Sequence, residues 1–249
     1  MSTAGIVIIG NEILSGKIQD TNGPFLMKEL RELGVSVCQL TVLADQKEEI
    51  AEVVSSFAQK YTWVFTSGGL GVTHDDVTIA AIAQVFSVPM IQHPDLMEKL
   101  EQASQRGLAL QNAHMRLAQI PQGAHLFKVA PPVWPAFSLQ NVFVLPGIPS
   151  CFRENFLVIK ETFRESPFFL KQIFVTQEEE LIADQLMLLA RKYPQMMMGS
   201  YPVDMADFQR QEASSIQPKY KVKVTLESKD QNATEQAYQE LIHLLGMKS

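Results

Sequence analysis

The stretch Thr62-Trp-Val-Phe-Thr-Ser-Gly-Gly-Leu-Gly-Val-Thr-His-Asp-Asp-Val-Thr-Ile-Ala-Ala-Ile82 carries the strongest structural signal in the chain. It opens with an apolar run, Trp63–Phe65, continues through a glycine-rich loop and the acidic pair Asp75-Asp76, and closes on a helical pattern. The order strand, loop, helix is how a parallel α/β sheet presents a ligand site at the carboxyl ends of its strands. The stretch therefore predicts both the class of fold and the place of the site.

The same stretch has the chemistry of a phosphate site. Glycines let a ligand approach the backbone closely, and the first N–H groups of the helix near Asp76–Thr78 are expected to face an anion. The adjacent carboxylates Asp75 and Asp76 suit a hard divalent cation, the usual companion of a polyphosphate. The loop predicts a nucleotide or phosphorylated-pterin site. The alternative is a tight turn in which Asp76 caps the helix and Asp75 is solvated.

The bulk properties of the chain exclude several classes of function. Its 249 residues suffice for one large domain or two smaller ones, and its net charge of −6 argues against a broad nucleic-acid-binding face. Cys38 and Cys151 have no metal-binding spacing, and both are predicted to be small buried side chains in a reducing compartment. No apolar segment is long enough to be a signal peptide or a membrane span. We expect a cytoplasmic protein without membrane or nucleic-acid partners.

Strands and helices are predicted to alternate over the first eighty-odd residues. Three buried strands are expected at Gly5–Ile9, Val35–Val42 and Trp63–Phe65. Helices follow them, one with Asn22 as its N-cap and one over Glu48–Gln59. With right-handed crossovers this pattern is half of a doubly wound, mostly parallel sheet. Five acidic residues follow strands and are expected to share one rim, namely Glu12, Asp20, Asp45, Asp75 and Asp76.

The middle of the chain predicts further elements around a proline-rich loop. Edge strand Val88–Ile91 precedes two helices, and Ile120–Gly123 is predicted to be a turn. The loop Ala130–Phe137 carries Trp134, which is expected to be exposed. The loop is either a rigid connector or a lid or partner-contact surface. The predicted helices and strands of this part are His93–Arg106, Gln111–Gln119, Leu126–Val129 and Ser138–Leu145. A second strand-end loop, Pro146–Pro149, then precedes a helix capped by Ser150.

Ser166-Pro167 marks a predicted boundary between domains 1–166 and 167–249. Beyond it the element order changes to β-α-β-β-α, which is typical of a small α+β lobe. The polar stretch Asp204–Gln217 is predicted to be a mobile loop within this lobe. The expected elements are Phe169–Thr176, Glu178–Lys192, Gln195–Tyr201, Tyr220–Leu226 and Asn232–Leu245.

Several motifs in order resemble one known family. The motifs are Gly10-Asn-Glu-Ile-Leu-Ser-Gly16, Asp20-Thr-Asn22, Asp45, Thr66-Ser-Gly-Gly-Leu-Gly-Val-Thr-His-Asp-Asp-Val-Thr78, Leu145-Pro-Gly-Ile-Pro149 and Gly199-Ser-Tyr-Pro202. Together they resemble the MoaB/Mog-type molybdopterin-binding fold. More closely, they are similar to the N-terminal domain of CinA-type competence/damage-inducible proteins and of eukaryotic FAD synthases. The resemblance implies a three-layer α/β domain with a mostly parallel sheet, followed by the small C-terminal α+β lobe.

The resemblance also implies roles for individual residues. Asp45 and Asp76 stand at the positions of functional aspartates in the resembling families. Together with the adjacent Asp75 they are expected to be catalytic and to bind a divalent metal, Mg²⁺, Mn²⁺ or Co²⁺, with Glu12 as a further candidate ligand. His74 or a nearby acid is a candidate general base. The remaining motif residues are expected to bind the ligand, namely Gly10, Glu12, Asp20, Asn22, Thr66, Ser67, Gly68, Gly69, Gly71, Thr73, Thr78, Pro146, Gly147 and Pro149.

Three functions follow from this resemblance. The first is a metal-dependent pyrophosphatase that hydrolyses ADP-ribose or FAD-like dinucleotides. The second is a non-catalytic molybdopterin or nucleotide binding protein of molybdenum cofactor metabolism. The third is a scaffold that kept the fold and lost the chemistry. It is supported only by two departures from the family pattern, Val72 in place of proline and Ala136 in place of glycine. The resemblance to this family also implies that the protein forms a homo-oligomer, either a dimer or a trimer.

Overall fold

A computed structural model of the protein describes residues 1–105, 112–130, 133–203 and 220–247. The chain divides into two compact units, Met1–Glu165 and Ser166–Ser249, beside the Ser166-Pro167 junction. The predicted mobile loop Asp204–Gln217 lies outside the described residues. Among the helices that are described, none is both long enough and apolar enough to cross a membrane.

The first unit is built on a six-stranded sheet. Its strands are β1 (Thr3–Ile9), β2 (Ser36–Leu43), β3 (Trp63–Ser67), β6 (His125–Leu126), β7 (Phe137–Leu139) and β8 (Val142–Leu145). They lie in the order β2-β1-β3-β8-β7-β6. Strands β2, β1, β3 and β8 are parallel. Strand β7 pairs antiparallel with β8, and β6 pairs antiparallel with β7. The central strands are buried on both faces, which explains their unbroken apolar runs.

Helices cover both faces of this sheet. They are α1 (Asn11–Leu14), α2 (Asn22–Glu32), α3 (Lys47–Lys60), α4 (Thr78–Val85), α5 (Pro94–Gln105), α6 (Asn112–Leu117) and α7 (Pro149–Ile159), the last followed by a 3₁₀ turn, Lys160–Phe163. Alternate residues of β1 face opposite layers. Val7 packs in the cluster that includes α3 and α4, and Ile6 packs in the cluster that includes α2 and α7. The structure therefore confirms the predicted three-layer α/β fold.

Two local predictions fail in this unit, one because of a contact far apart in the sequence and one because of the neighbouring residue. Ile120–Gly123 is not a simple turn, since β5 (Gln119–Pro121) pairs antiparallel with β4 (Met90–Gln92). Ser150 does not cap α7. The helix begins at Pro149, whose restricted φ suits the first helical turn.

The predictions for Cys38, Cys151 and Trp134 are also wrong. Cys38 is exposed because it lies in the edge strand β2, at an irregularity where the register skips from Val37 to Gln39. Cys151 is only partly buried. Trp134 is not exposed, since its side chain packs against the apolar cluster of the first unit.

In the ranges that the structure describes, the second unit has the predicted β-α-β-β-α order. Its strands are β9 (Phe169–Val175), β10 (Met197–Pro202) and β11 (Val222–Ser228), and its helices are α8 (Glu179–Lys192) and α9 (Gln231–Leu244). The strands form an antiparallel sheet in the order β10-β11-β9. Apolar side chains of both helices pack on one face of this sheet. Along each strand, the residues that alternate with those facing the helices point to the opposite face of the sheet.

Candidate functional site

The loops that follow β1, β3 and β8 meet at one edge of the first sheet, because these are neighbouring parallel strands. They surround a cavity of about 560 Å³, a volume within the range of small-molecule pockets. Lining residues from these loops and the segments beside them include Glu12, Asp20, Asn22, Ser67, Gly68, Gly69, Gly71, Asp76, Pro146, Gly147 and Pro149.

Most of the cavity wall is apolar. Ile8, Ile13, Leu70, Leu117 and Trp134 belong to the lining, and they offer surface for a planar or aliphatic part of a ligand. The charged side chains of the described lining are all carboxylates, those of Glu12, Asp20 and Asp76. An anionic ligand in this cavity therefore requires a cation or hydrogen-bond donors to offset the repulsion.

We call Asn22, Ser67, Gly68 and Gly147 the cradle, because their loops pack directly on one another. Gly68 has φ 108°, and a Cβ there would lie 2.1 Å from the carbonyl oxygen of Ile9. A Cβ at Gly147 would lie 3.3 Å from the Cα of Gly68. Only a residue without a side chain fits between these backbones at position 68.

Asn22 holds the cradle together. Its Nδ2 donates to Ser67 Oγ at 2.9 Å and to the carbonyl oxygen of Gly147 at 2.8 Å, and the residue is 5% exposed. The predicted N-cap role of Asn22 is wrong, because Asp20 accepts from the backbone N–H groups of Asn22 and Gly23 instead. Asp20 thus engages the first amides of α2, which leaves the Asn22 side chain free to bridge two strand-end loops.

The second part of the site is the acid loop, Gly71–Asp76. Asp76 accepts from Gly71 N at 2.7 Å and from Thr73 N at 2.8 Å, and its Oδ2 lies 2.6 Å from Thr73 Oγ1. Its carboxylate shapes the loop and does not cap α4, whose first residue, Thr78, donates its N–H to the carbonyl of Gly69. The alternative reading of Asp76 as a helix cap is therefore wrong.

Asp75 and His74 lie on the outer side of the acid loop. The hydroxyl of Thr73 donates to Asp75, and this hydrogen bond lowers the pKa of the Asp75 carboxyl. The side chain of His74 is 98% exposed, with Nδ1 3.9 Å from Asp75 Oδ1. Neither residue lines the cavity. His74 in this position is not held by a packed neighbour as a general base would be.

Several backbone donors expected for phosphate are used by the protein itself. Gly68 N donates to the carbonyl of Leu145, and Gly71 N and Thr73 N donate to Asp76. The N–H of Thr78, at the start of α4, is taken by Gly69. A phosphate in the cavity would therefore depend more on a cation than on these amides.

Asp45 occupies a neighbouring position at the end of β2. Its Oδ2 accepts from Asn11 N at 2.8 Å and so connects this strand end to α1. It is outside the cavity lining, as are the predicted site residues Gly10, Thr66, Thr73, Asp75 and Thr78. The structure brings the remaining predicted ligand-binding residues together around one cavity.

The expected metal site was tested by its donor geometry. Within the ranges that the structure describes, no three His, Cys, Asp or Glu side chains form a cluster able to hold a metal ion. Asp75 and Asp76 are the adjacent carboxylates; Asp75 accepts from the hydroxyl of Thr73 and Asp76 from its backbone N–H. Two carboxylates fit a cation whose other ligands are phosphate oxygens and water, but not a metal caged by protein alone. The metal role of Asp45, Asp75 and Asp76 stays a prediction.

Some cavity residues were not predicted. Trp134 and Cys151 line it, as does Leu117 of α6. The neighbouring Arg116 donates from its guanidinium to the carbonyl of Val72, which joins α6 to the acid loop. Among these residues, only Trp134 had a signal in the sequence, its proline-rich loop. Leu117 had none, because α6 reaches the cavity through tertiary packing.

Comparison with known proteins agrees with this architecture. Residues 5–165 match a family described as "Probable molybdopterin binding domain", and residues 167–249 match "FAD synthase, middle domain". The solved structure of the protein CinA from Thermoplasma acidophilum has a TM-score of 0.59 and 23% identity, covering 66% of this chain and 99% of that one. This likeness shows the fold.

Two relatives show the range of similar proteins. A "Probable FAD synthase" from Caenorhabditis elegans is 28% identical over 98% of this chain and 50% of its own length. A "CinA-like protein" from Nostoc punctiforme is 32% identical over 59% of this chain and 37% of its own length. The chain thus spans half or less of these two relatives. It belongs to the family of probable molybdopterin-binding domains, with a C-terminal part similar to the middle domain of FAD synthase.

Proposed function

We propose that the cavity binds the diphosphate part of a nucleotide such as ADP-ribose or an FAD-like dinucleotide. The protein then hydrolyses the pyrophosphate bond of this ligand with the help of a divalent cation. The observation that carries the proposal is the composition of the cavity. An apolar wall that suits a ring system adjoins the glycine cradle and a carboxylate, Asp76, within one pocket of about 560 Å³. Ligand sites commonly combine a large apolar surface with a few placed polar groups.

Charge supports a requirement for the cation. Glu12, Asp20 and Asp76 contribute only negative charge to the described lining, and a diphosphate adds more. Mg²⁺ and similar cations are commonly held by one or two carboxylates together with substrate phosphates. Such a cation, when bound, polarises the phosphates and lowers the pKa of an attacking water. Within the chain, Asp75 and Asp76 are the adjacent candidates, and Asp45 is the third predicted ligand.

The direct test is product formation. The purified protein is incubated with ADP-ribose or FAD and with Mg²⁺, Mn²⁺ or Co²⁺ in turn, and AMP is measured. We expect AMP release with at least one pair of substrate and metal. Absence of AMP under every condition, from folded protein, ends the hydrolase proposal.

The Asp76→Asn variant tests the proposed role of the acid loop. It removes one negative charge at the cavity, and we expect AMP release to fall by a factor of ten or more. Asp95→Asn is the matched control, because Asp95 is an exposed acid in the first turn of α5 and lies outside the cavity lining. Equal rates for the two variants would remove Asp76 from the mechanism.

A second function is favoured by one specific observation. Both oxygens of Asp76 already accept hydrogen bonds from the acid loop, which is the arrangement of a structural carboxylate. In that case the cavity is a carrier site for molybdopterin or a nucleotide without turnover. Asp45→Asn and Asp76→Asn would then change the dissociation constant only. Tight binding of ligand without AMP distinguishes this function from hydrolysis.

We further propose that the protein works in the cytoplasm as a homo-oligomer of two or three chains. No nucleic-acid partner is proposed, in keeping with the net charge of −6. The oligomeric state of the sample should therefore be measured alongside each binding assay, because a bound ligand and a bound subunit both stabilise the folded chain.

A further inference from the structure

The open face of the C-terminal sheet has an ordered chemical pattern. In β11, Val222, Val224 and Leu226 are buried toward α8 and α9, so the intervening residues lie on the opposite face. The pairing registers of β9 and β10 with β11 then fix which side chains neighbour one another on that face. We call this surface the outer face. It consists of Leu170, Gln172, Phe174, Met197, Gly199, Tyr201, Lys223, Thr225 and Glu227.

The register arranges the outer face in three rows that cross the strands. The first row is Tyr201, Lys223 and Phe174. The middle row is Gly199, Thr225 and Gln172, and the third is Met197, Glu227 and Leu170. Each outer row therefore has a charged residue at its centre and a large apolar residue at each end, and the two charges are opposite.

The apolar residues of the outer rows are open to solvent. Their exposed fractions are 53% for Tyr201, 43% for Phe174, 43% for Met197 and 49% for Leu170. The ring of Tyr201 lies across Gly199, because a Cβ at Gly199 would be 2.5 Å from the tyrosine oxygen. The ring lies over the glycine of the middle row, which makes the face suitable for packing against another surface. Large exposed apolar groups of this kind mark interaction sites.

The pattern is complementary to itself. A two-fold axis laid along the middle row turns the first row of one copy onto the third row of the other. Lys223 then meets Glu227 of the second copy, Tyr201 meets Met197 of the second copy, and Phe174 meets Leu170 of the second copy. The strands of the two sheets run antiparallel in this arrangement, which is compatible with aligned packing of sheets about 10 Å apart. An isologous interface requires this kind of self-matching.

We propose that the outer face is the dimer interface of this chain, with a second copy as its occupant. The symmetry repeats the Lys223–Glu227 contact twice, once on each side of the axis. The ammonium of Lys223 lies 5.2 Å from the ring centroid of Tyr201, so the aromatic ring also accompanies this charge into the interface. The contacts of methionine with tyrosine and of leucine with phenylalanine exclude water around the ion pairs.

The size of the face sets the expected strength. Three strands spaced about 4.8 Å apart present less area than the roughly 800 Å² per partner of a typical stable complex. We therefore expect a monomer–dimer equilibrium that depends on protein concentration. Sedimentation velocity of the full chain over a range of concentrations measures it. A chain that stays monomeric up to millimolar concentration would overturn the proposal, and a partner of another kind would then cover the face.

Charge reversal tests the pairing itself. Lys223→Glu and Glu227→Lys each place like charges opposite one another twice per homodimer, and we expect each to raise the dimer dissociation constant at least about tenfold. Mixing the two single variants restores opposite charges at both contacts, as does the double variant Lys223→Glu/Glu227→Lys. We expect dimers in both samples with a dissociation constant near that of the wild type.

Folding is checked by the thermal unfolding midpoint of each variant. Dimers in the single variants as strong as in the wild type would show that another surface joins the chains. Failure of the mixed and double samples to recover would equally overturn the proposed alignment of rows. A midpoint lowered in both single variants but restored in the double variant without any dimer would point to a contact within one chain, and would also overturn it.

Discussion

The cradle and the acid loop border the same cavity but are held in different ways. The cradle is fixed by buried contacts between loops distant in sequence, with Asn22 bonded to Gly147 across 125 positions. The acid loop lies on an exposed turn and is fixed by hydrogen bonds between residues at most five positions apart, together with a long-range hydrogen bond from Arg116 to the carbonyl of Val72. Buried hydrogen bonds cost more to break than exposed ones.

This difference separates two roles for the site. The cradle sets the position of the strand ends, so substitutions there should reduce both stability and ligand affinity. The acid loop contributes little to stability, so substitutions there should change chemistry or binding while the fold persists. A shift of the acid loop on ligand binding also costs less free energy than a shift of the cradle.

The largest effect on stability is expected at the tightest point of the cradle. Gly68→Ala puts a Cβ 2.1 Å from the carbonyl oxygen of Ile9, where only a backbone shift can relieve the contact. We expect the free energy of unfolding to fall by more than about 3 kcal/mol, measured by urea denaturation. Gly16→Ala is the control. Gly16 also has a positive φ, 71°, but has nothing within 4 Å of a Cβ, and should cost about 1 kcal/mol.

An equal loss of unfolding free energy in the two glycine variants would contradict this explanation. It would show that backbone conformation, and not the close packing of loops, is what requires glycine at position 68. The comparison is close because both substitutions add one methyl group at a residue with positive φ, 108° at Gly68 and 71° at Gly16, and the larger difference is in the surrounding space.

The next effect concerns the bridge between loops. Asn22→Ala removes two hydrogen bonds and leaves the Gly147 carbonyl without its donor, at a cost of about 2–3 kcal/mol. We also expect weaker binding of ADP-ribose or FAD, measured by isothermal titration calorimetry. Asn141→Ala is matched to it, because Asn141 Nδ2 likewise donates two hydrogen bonds, here to the carbonyls of Ala58 and Tyr61, outside the cavity. It should lower stability without changing affinity.

A loss of affinity in Asn141→Ala as large as in Asn22→Ala would show that binding follows global stability. An unchanged affinity in Asn22→Ala would show that the cradle does not position the ligand.

The smallest effect is expected in the acid loop. Thr73→Val removes the hydroxyl that lowers the pKa of Asp75, so this pKa should rise toward 3.8 in an NMR titration. A lowered folded-state pKa stabilises the protein above the unfolded pKa, and that contribution is lost as pH falls through the folded value. The variant should therefore be slightly less stable than the wild type at neutral pH, and this difference should disappear as the pH falls below about 4.

Glu161 is the internal reference for that titration. Its pKa is lowered by Arg164, which is remote from the acid loop, and it should titrate alike in both proteins. A shift of Glu161 together with Asp75 would indicate a general change of the fold and not the loss of one hydroxyl.

The sequence predicted the site where local order was enough. Strand, glycine loop and acidic pair follow one another between Trp63 and Asp76, and neighbouring parallel strands bring their loops to one edge. The bridging role of Asn22 was not predictable, because its partner Gly147 comes from another strand end. The exposure of Cys38 depends on a register irregularity with β1, which no pattern within β2 shows.

Diffraction from crystals grown with Mg²⁺ and ADP-ribose or FAD tests the central claim most directly. We expect density for the diphosphate inside the cavity, between the cradle and Asp76, with the ring system against the apolar wall that includes Trp134. Saturating ligand bound at another surface, with the cavity empty of it, would contradict the assignment of this cavity as the nucleotide site.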